Sequence, residues 1–309
     1  MTVASPRVGC VVVTFHPDEN VCDRLTAMRG EADYLVVIDN GSDGEKQREL
    51  GDWCVANDAL FHAETDNRGL ARALNLGVEL LSDCDVEWVL FFDQDSRPKA
   101  GLSQAMLLAM GNAGNAEQIA ALGPSIVDRD GVFHRWLDPH PWLLGAFRKR
   151  AWQDAVIHPV SMVITSGSLV RVSAWRDVGG FDEALFIDGV DTDFCLRLRH
   201  RKWQLVAVPT ALLHHQLGAR REVRLPGPLG RPTFHSPVRH YYMARNRWLL
   251  LRRHWKKGHW VTFEFTAGVL NTLRVVLAED MKIAKLRAIV IGTCDGIRGR
   301  KGPCPRRVT

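Results

Sequence analysis

Two carboxylates that follow a short apolar run could together hold a divalent cation. The run covers residues 88–92, and Asp93 and Asp95 come directly after it with Gln94 between them. Side chains at i and i+2 of an extended segment point the same way, so both carboxylates can face one point. Oxygen ligands of this kind suit Mg²⁺ or Mn²⁺, and such an ion usually shares its coordination with phosphate oxygens. The pair therefore predicts binding of a nucleotide diphosphate, and the alternative is a solvated pair that caps the next helix.

The strands that the sequence predicts would place this acidic pair at the edge of a sheet. Apolar runs that predict buried strands cover 8–15, 34–38, 59–62, 88–92 and 119–127. Helical patterns lie between the first four runs, and this alternation is typical of a mostly parallel, doubly wound α/β sheet flanked by helices. Ligands of such sheets bind at the carboxyl ends of the strands. We therefore expect Asp93 and Asp95 to lie at a ligand site.

The middle of the chain has a less regular pattern. Residues 128–160 are rich in Pro, Trp and His and predict a loop or lid over the sheet. Residues 162–170 predict a strand and a turn, residues 191–200 a helix, and residues 204–208 a strand that Pro209 closes.

Charge divides the chain into two parts. Residues 1–196 carry 16 Lys/Arg and 30 Asp/Glu, a net charge of −14, whereas residues 197–309 carry 24 and 5, a net charge of +19. With a Gly/Pro/Arg-rich connector at 218–237, this predicts a first domain over 1–225 and a basic helical region over 226–309. A basic surface of this kind suits nucleic acid, anionic lipid or a pyrophosphate-bearing acceptor, and the alternative is charge for solubility alone.

Composition excludes several classes of protein. The 309-residue chain is 46% hydrophobic and 24% charged, which is typical of a globular protein. We find no apolar run of the roughly 18 residues that span a bilayer, and no signal peptide at the N-terminus. Seven scattered cysteines without a Cys-x-x-Cys pair indicate reduced thiols in a cytosol rather than a zinc site.

An ordered series of motifs resembles family 2 glycosyltransferases with the GT-A fold. The motifs are Val-Val-Val-Thr-Phe (11–15), Val-Val-Ile-Asp-Asn-Gly-Ser (36–42), Asn-Arg-Gly-Leu-Ala-Arg-Ala-Leu-Asn (67–75), Phe-Phe-Asp-Gln-Asp-Ser (91–96), Thr-Ser-Gly-Ser (165–168), Gly-Gly-Phe-Asp-Glu (179–183) and Phe-Ile-Asp-Gly-Val-Asp-Thr-Asp-Phe-Cys-Leu-Arg (186–197). Together they cover about residues 7 to 218. The segments 239–246 and 295–300 further resemble the rhamnosyltransferase branch of the family.

The resemblance implies roles for residues that would bind the nucleotide. Asp39 would accept the imide N–H of uracil or thymine, and Thr14 would help to seat the nucleoside. Asn67, Arg68 and Gly69 form a loop at a helix start, where backbone N–H groups and an Arg side chain could meet the diphosphate. The alternatives are a turn-forming Asp39, a strand-end Thr14 without a ligand, and simple capping of the helix by Asn67.

The resemblance also implies a metal site. In the family pattern Asp95 binds the ion directly, and Asp93 contacts the ribose or reaches the ion through water. His215 falls where family members often place a histidine near the metal, and imidazole suits Mn²⁺ better than Mg²⁺. A histidine without a ligand role is the alternative for His215.

Asp191 is our candidate for the catalytic base. Many family members have Glu-Asp here, whereas this chain has Val190-Asp191, a pair that sequences of the rhamnosyltransferase type tolerate. Asp188, Asp191 and Asp193 would cluster at a helix N-terminus, where the helix dipole favours their ionised forms. The alternative is that all three only cap the helix.

Other side chains are expected near the sugar. The Thr-Ser-Gly segment at 165–167 would line the acceptor or sugar side of the cleft. Trp136, Trp142 and Trp152 could stack on a sugar face, although ordinary packing is the better explanation for each of them individually.

These residues together predict an inverting, metal-dependent glycosyltransferase. The donor expected from the resemblance is dTDP-L-rhamnose, and the acceptor is a glycan or polyprenyl-pyrophosphate-linked glycan of a cell-surface polysaccharide such as lipopolysaccharide. We expect a cytoplasmic protein that is peripheral to the inner face of the membrane. The basic tail would contact the membrane or the acceptor, or pair two subunits into a homodimer.

Three other functions are alternatives to this prediction. The first is the same fold with a UDP-sugar donor. A haloacid-dehalogenase-like phosphatase also has Asp-x-Asp, but usually on its first strand, whereas here the motif follows the fourth. A non-catalytic nucleic-acid-binding protein could use the basic tail, but we expect no nucleic acid because the acidic first part would repel phosphate and no binding module is recognised.

Overall fold

A computed structural model describes most of the chain. It covers residues 6–128, 131, 133, 136–139, 147–150, 152, 156–215, 219–220, 225–226, 233–256, 258–305 and 308. The strands are β1 Val8–Thr14, β2 Tyr34–Asp39, β3 Leu60–Ala63, β4 Trp88–Asp93, β5 Arg97–Pro98, β6 Ile119–Val127, β7 Trp136–Pro139, β8 Phe147–Arg150, β9 His158–Pro159, β10 Leu169–Arg171, β11 Gln204–His214, β12 Ala219–Arg220 and β13 Thr233–Phe234. The α-helices are α1 Val21–Arg29, α2 Gly44–Ala56, α3 Leu70–Leu80, α4 Leu102–Gly111, α5 Val172–Val178, α6 Val190–His200, α7 Pro237–Arg253, α8 Gly258–Ala278 and α9 Lys282–Ile297.

The main sheet has the strand order β3-β2-β1-β4-β10-β6-β11-β5, and β9 pairs with β11. The pairs among β3, β2, β1 and β4 are parallel, as the alternating pattern predicts. β6 and β11 are also parallel. β10 is antiparallel to both β4 and β6, so it separates two parallel blocks. The prediction of an α/β sheet flanked by helices is confirmed, and the sheet is mixed, because β5 and β9 also pair antiparallel with β11.

Helices cover both faces of the sheet, which explains why β1 is an apolar run with every residue buried. Val11 and Val13 belong to the core under α3, α5 and α6, whereas Cys10 and Val12 belong to the core under α1, α2 and α4. Successive side chains of a strand point to opposite faces, so one apolar run supplies both cores.

The predicted end of the strand at Pro209 is wrong. β11 continues from Gln204 to His214, and its pairing with β6 shifts register between Val208 and Leu212. Pro209 lies in the irregular stretch, where a missing backbone N–H breaks no ladder bond. The continuation is important because it carries the chain to His215.

The tail forms three helices, and α7 packs closely on α9. Gly292 and Gly296 lie directly against the backbone oxygens of Tyr241 and Arg245, so any larger side chain would force the helices apart. One expectation about the tail is wrong: the segment Trp260–Ala278 of α8 is long and apolar enough to cross a membrane, and almost none of it is buried against the rest of the chain. Glu264 and Arg274 lie within this segment, so no uninterrupted apolar run marks it in the sequence.

All seven cysteines lie in the described residues and are free thiols, as the sequence predicts. Trp142 and most of the predicted connector at 218–237 lie outside the described residues. The same is true of much of the predicted lid at 128–160.

Candidate active site

A cleft of about 770 Å³ opens at the carboxyl ends of β1 and β4. Thr14, Asp93, Asp95, Asp191 and His215 all line it. These residues come from distant parts of the sequence, and the parallel strands bring them to one edge of the sheet.

Asp93, Asp95 and His215 form one cluster at the bottom of the cleft. Each offers one ligand atom, and these atoms lie within 4.8 Å of one another. His215 Nε2 lies 3.7 Å from Asp93 Oδ2, and His215 Nδ1 lies 3.3 Å from Asp95 Oδ1. The short strand β5 brings the two aspartates close to His215. Its residue Arg97 pairs with His214, so the chain that follows Asp95 runs along the end of β11.

The donor set of this cluster fits a divalent cation. Two carboxylates and one imidazole are ligands that Mn²⁺ accepts, and Mg²⁺ would use the carboxylates. The imidazole is buried, whereas the side chains of Asp93 and Asp95 are 38% and 42% exposed. The open side of the cluster leaves room for oxygen atoms of a phosphate ligand.

The three groups affect one another's ionisation. Burial raises the pKa of Asp93, and the Asp95 charge adds to that effect against the opposing charge of His215. Burial also acts to raise the pKa of Asp95, but the hydrogen bond and charge of His215 outweigh it and lower that pKa. Burial acts to lower the pKa of His215, and the two carboxylates outweigh it and raise that pKa.

Two buried serines hold this cluster in place, and the sequence analysis assigned them no such role. Ser96 Oγ lies 3.1 Å from His215 Nδ1 and 2.5 Å from Ser166 Oγ. Ser166 Oγ also accepts a hydrogen bond of 3.3 Å from the backbone N–H of Asp93. Hydrogen bonds of this kind fix the orientation of a metal-binding imidazole. Ser96 directly follows the Asp-x-Asp motif, which is the signal that could have found it.

Asp191 lies at the N-terminus of α6 and faces the same cleft. Its Oδ1 accepts a 2.8 Å hydrogen bond from the backbone N–H of Thr192. Burial raises the pKa of Asp191 to about 6, and the negative charges of Asp188 and Asp93 add to the effect. A carboxylate with this pKa is ionised near neutral pH and still binds a proton readily, which suits a general base.

The other two acidic residues of this cluster have cationic partners. Asp188 lines the cleft but pairs with Arg239, whose Nε and Nη2 each lie 3.1 Å from its Oδ1. Asp193 is fully buried and binds Arg197 Nε at 2.6 Å and Arg253 Nη1 at 2.8 Å. Of the three carboxylates, Asp191 alone has no cationic partner among the described residues.

Asp39 is fully buried beneath the nucleoside end of the predicted site. Its oxygens accept hydrogen bonds from Thr14 Oγ1 (2.9 Å), Ser42 Oγ (2.6 Å), Ser42 N (2.8 Å) and Gln47 Nε2 (3.1 Å). A carboxylate has about four acceptor positions, and these bonds occupy them. Thr14 lines the cleft, whereas Asp39 lies behind it.

The loop at residues 67–69 is fixed by an asparagine that the sequence analysis missed. Asn40 Oδ1 accepts a 2.8 Å bond from Arg68 N, and Asn40 Nδ2 donates to Asn67 Oδ1 at 3.2 Å. Asn67 and Asn40 line the cleft, while Arg68 is exposed beside it. The N-cap of α3 is Gly69 rather than Asn67, with a φ of 95° that favours glycine.

Residues of the tail also reach the cleft. His235 and Arg239 line it from the start of α7, although the sequence analysis placed the tail in a separate region. Trp136 and Trp152 pack against the core under α3, α5 and α6. Trp152 stacks on His158 at a ring distance of 4.3 Å.

Comparisons with known proteins agree with this geometry. The profile of the family described as "Glycosyl transferase family group 2" matches residues 88–283. The "dTDP-rhamnosyl transferase RfbF" of Shigella flexneri is 29% identical over 305 residues, which cover 96% of this chain and 97% of that protein. The "N-acetylglucosaminyl-diphospho-decaprenol L-rhamnosyltransferase" of Mycobacterium tuberculosis is 33% identical over 67% of this chain and 75% of its own length.

Two solved structures share the fold. The mannosyltransferase PcManGT of Pyrobaculum calidifontis, in complex with GDP-Man and Mn²⁺, aligns with a TM-score of 0.58 and 12% identity over 96% of this chain and 88% of that chain. TarS 1–349 of S. aureus aligns with the same score and identity over 98% of this chain and 82% of that chain. At this identity the likeness concerns the fold alone.

Proposed function

Because the chain belongs to the glycosyl transferase family group 2 and has the GT-A fold, we propose that it transfers L-rhamnose from dTDP-L-rhamnose to a glycan acceptor with inversion. One observation carries the proposal: a single cleft holds both a candidate cation site and a carboxylate suited to act as a base. The choice of donor rests on the Shigella flexneri relative, which is named for this donor and matches nearly the whole chain. Membership of the family excludes the phosphatase alternative.

Asp93, Asp95 and His215 would hold Mg²⁺ or Mn²⁺ together with the diphosphate of the donor. When bound, the cation would neutralise the charge that develops on the departing nucleotide. The protein contributes the orientation of its ligands, because Ser96 and Ser166 fix the imidazole and the backbone of Asp93 before any ligand binds.

Asp191 would accept the proton of the attacking acceptor hydroxyl. The freed oxygen forms a bond to the anomeric carbon on the face opposite the nucleotide, while the bond from that carbon to the diphosphate oxygen breaks. The electron pair of the broken bond leaves on the nucleotide. One displacement inverts the anomeric configuration, and no covalent intermediate with the enzyme is needed.

The nucleoside would lie between the ends of β1 and β2. Thr14 faces the cleft there, and Asp39 holds Thr14 and the turn at Ser42 from behind. Direct recognition of a thymine or uracil imide N–H by Asp39 would require Gln47 or Ser42 to release an oxygen of the carboxylate. Asn67, the exposed Arg68 and the backbone at Gly69 would meet the diphosphate.

We also propose that the basic tail rests on an anionic membrane surface, where a polyprenyl-pyrophosphate-linked or lipopolysaccharide-type acceptor would lie. Residues 237–305 contain 14 Lys/Arg and four acidic residues. All four acids form ion pairs within the tail: Glu264 with Arg247, Glu279 and Asp280 with Lys285, and Asp295 with Arg300. Exposed basic residues of the tail, among them Lys256, Lys282 and Arg287, would suit anionic lipid.

The outer face of α8 supports the same location. Phe265, Val269, Leu273 and Val276 are between 43% and 59% exposed, and their spacing places them on one side of the helix. An exposed apolar stripe flanked by basic residues is typical of a helix that lies in a membrane interface. On this proposal the enzyme works at the inner face of the cell membrane, from the cytoplasm.

The donor is tested by measuring hydrolysis and transfer with dTDP-rhamnose, UDP-sugars and GDP-sugars, each with Mg²⁺, with Mn²⁺ and with a chelator. We expect turnover of dTDP-rhamnose that a chelator abolishes and either metal restores. Preference for a UDP-sugar would keep the mechanism and replace the donor. Preference for a GDP-sugar would contradict the assignment of the nucleoside end around Asp39.

A further inference from the structure

The segment that leads into the candidate base has an unusual backbone conformation. Residues 184–189, which we call the base loop, directly precede α6 and Asp191. Phe186 has a φ of 68° and a ψ of −66°, and the N–H of Ile187 donates to the C=O of Leu185 at 2.8 Å. These values define a γ-turn with positive φ, which is rare and strained.

The strain extends beyond the γ-turn. Asp188 has a φ of 62°, which is uncommon for a residue other than glycine, and Gly189 has a φ of 76°. Such conformations persist only where the surrounding structure holds them, and they concentrate at functional sites. The base loop therefore needs an external support.

Asn246 of α7 supplies this support. Its side-chain Nδ2 donates to the backbone oxygens of Leu185 (2.9 Å), Ile187 (2.7 Å) and Asp188 (2.7 Å). Two amide hydrogens serve three carbonyl groups, so the amide lies at the centre of the loop. Its Oδ1 accepts a 2.9 Å bond from Arg245 Nε, which fixes the direction of the amide.

Arg245 and a neighbouring ring extend the support. Arg245 is fully buried, and its Nη2 donates to the carbonyl oxygens of Leu185 at 2.8 Å and Ala184 at 3.3 Å. The ring of Phe186 stacks on Tyr242 with an angle of 2° between their planes and 5.0 Å between their centres. Tyr242, Arg245 and Asn246 of α7 thus contact most of the base loop.

The opposite side of the base loop contacts the start of α3. A Cβ at Gly69 would lie 2.8 Å from the ring of Phe186 and 2.9 Å from its carbonyl oxygen. The N–H of Ala71 donates to the same oxygen at 3.4 Å. The base loop is therefore held between α7 and the loop at 67–69 that we assign to the diphosphate.

We propose that Asn246, with its neighbour Arg245, is a positioning residue that sets the location of Asp191 relative to the bound donor. This inference rests on the proposed function, since it takes Asp191 as the base. Neither Asn246 nor Arg245 lines the cleft, so neither would touch the substrate. Loss of the support would let the base loop relax while the strand ends that bind the donor stay in place.

The test compares Asn246→Ala and Asn246→Ser with Tyr241→Phe. Tyr241 is as buried as Asn246 and lies on the same helix, but its hydroxyl bonds to Asp295 of α9 instead of the base loop. We expect kcat of Asn246→Ala to fall by about 100-fold, the scale of a displacement of about 1 Å in a reacting group. The donor Kd should stay unchanged, Asn246→Ser should keep part of the rate through its one hydroxyl donor, and Tyr241→Phe should keep wild-type kcat.

The combination with Asp191→Asn separates this inference from the proposed function. If Asn246 acts through Asp191, adding Asn246→Ala to Asp191→Asn should cause no further loss of rate. Wild-type kcat in Asn246→Ala, or equal losses in Asn246→Ala and Tyr241→Phe, would overturn the positioning role while the function stands. Full activity in Asp191→Asn would instead overturn the assigned base. If Asn246→Ala does not fold, the kcat of Asn246→Ser against Tyr241→Phe decides.

Discussion

Three aspartates within six positions of the chain have three different environments in the structure. Asp188 is ion-paired with Arg239, and Asp193 is buried among cations. Asp191 faces the cleft without a cationic partner among the described residues. The sequence could name the cluster and even choose Asp191, but Arg239 and Arg253, which pair with Asp188 and Asp193, lie on α7, more than forty residues away in the chain.

The ionisation of Asp191 predicts the pH dependence of the reaction. Burial raises its pKa to about 6, and a general base must be ionised to accept a proton. We therefore expect kcat/KM to be constant above this pKa and to fall tenfold per pH unit below about pH 6. An acid limb near the ordinary value for Asp, about 3.9, would contradict the buried position of the base.

Asp191→Asn should lower the rate of sugar transfer by about 100- to 10,000-fold, the contribution of a general base, while donor binding survives. The amide cannot accept the proton of the acceptor hydroxyl, but it fills the same space and leaves the cluster of Asp93, Asp95 and His215 unchanged. Calorimetry with the donor nucleotide and Mn²⁺ measures binding, and a transfer assay measures rate. Transfer at the wild-type rate would remove Asp191 from this role.

The serine behind the metal cluster gives a prediction that does not depend on turnover. Ser96→Ala removes the hydroxyl beside His215 Nδ1 and should weaken Mn²⁺ affinity by about 10-fold, as loss of an outer partner of a metal ligand does. The matched control is Ser168→Ala, because Ser168 is also buried but bonds to the C=O of Thr165. Titration of Mn²⁺ by calorimetry or electron paramagnetic resonance measures both, and equal affinities would show that Ser96 does not orient the imidazole.

At the scale of elements, the sequence predicted the parts that depend on local pattern. The apolar runs at β1, β2, β4 and β6 gave the parallel blocks because each run is buried on both faces. The position of β10 in the sheet was not predictable. This strand has only three residues, and their sequence does not indicate that they insert between β4 and β6. The extension of β11 past Pro209 was missed because a register shift, which depends on the partner strand, absorbs the proline.

The candidate site residues show the same contrast between local pattern and distant contacts. Motifs at strand and helix ends predict Asp93, Asp95 and Asp191. Asn40 and Ser96 were missed because their roles depend on contacts with residues 28 and 119 positions away. Trp136 had an aromatic side chain that suggested sugar binding, but packing against the core accounts for it.

The contact between α6 and α7 predicts a stability effect at Asp193. Burial acts to raise the pKa of Asp193, but the His254 hydrogen bond and the charges of Arg197 and Arg253 outweigh it and lower that pKa to about 2. A lowered pKa means that the native state favours the ionised form, so this stabilisation is complete above about pH 4 and is lost as pH falls toward 2.

Asp193→Asn should therefore lower the free energy of unfolding at pH 7 by about 3 kcal/mol, because it leaves buried cations without their partner. Urea unfolding followed by circular dichroism measures the change, and the difference from wild type should shrink when the measurement is repeated near pH 3. Asp191→Asn is the control on the same helix: it should lose activity and keep its stability. A stable Asp193→Asn variant would show that the ion pairs around it contribute little.

At the scale of the whole molecule, the charge split of the sequence has a structural counterpart. The acidic part contains most of the strands of the main sheet and most residues that line the cleft, and the described residues of the basic part include α7, α8 and α9, which pair their few acids internally. The tail is nevertheless not separate from the catalytic part, because Arg239 of α7 and His235, which lies two residues before the first residue of α7, line the cleft, and Asn246 of α7 bonds to the base loop. On the proposal above, the tail would both contribute to the cleft and contact a membrane through the outer face of α8.

The outer face of α8 provides the prediction at this scale. We expect the protein to sediment with vesicles that contain anionic phosphatidylglycerol and to remain in solution with neutral phosphatidylcholine vesicles. Binding to anionic vesicles should weaken strongly at high salt, because exposed charges more than about 3 Å apart are screened at 1 M ionic strength. A helix that crossed the bilayer would resist the same wash, so release by salt separates a helix that lies on the surface from one that spans it.

Val269→Glu places a charge in the middle of the apolar stripe and should abolish sedimentation, since the carboxylate would have to leave water and would face anionic lipid. The matched control is Val55→Glu, because Val55 is an exposed valine on α2, at 85% exposure, and does not belong to the tail. Both variants should keep donor hydrolysis in solution, which shows that they fold. Equal sedimentation of the two variants would end the membrane assignment of α8. If analytical ultracentrifugation shows a dimer that Val269→Glu dissociates, the apolar face of α8 is instead an interface with a second copy of the chain.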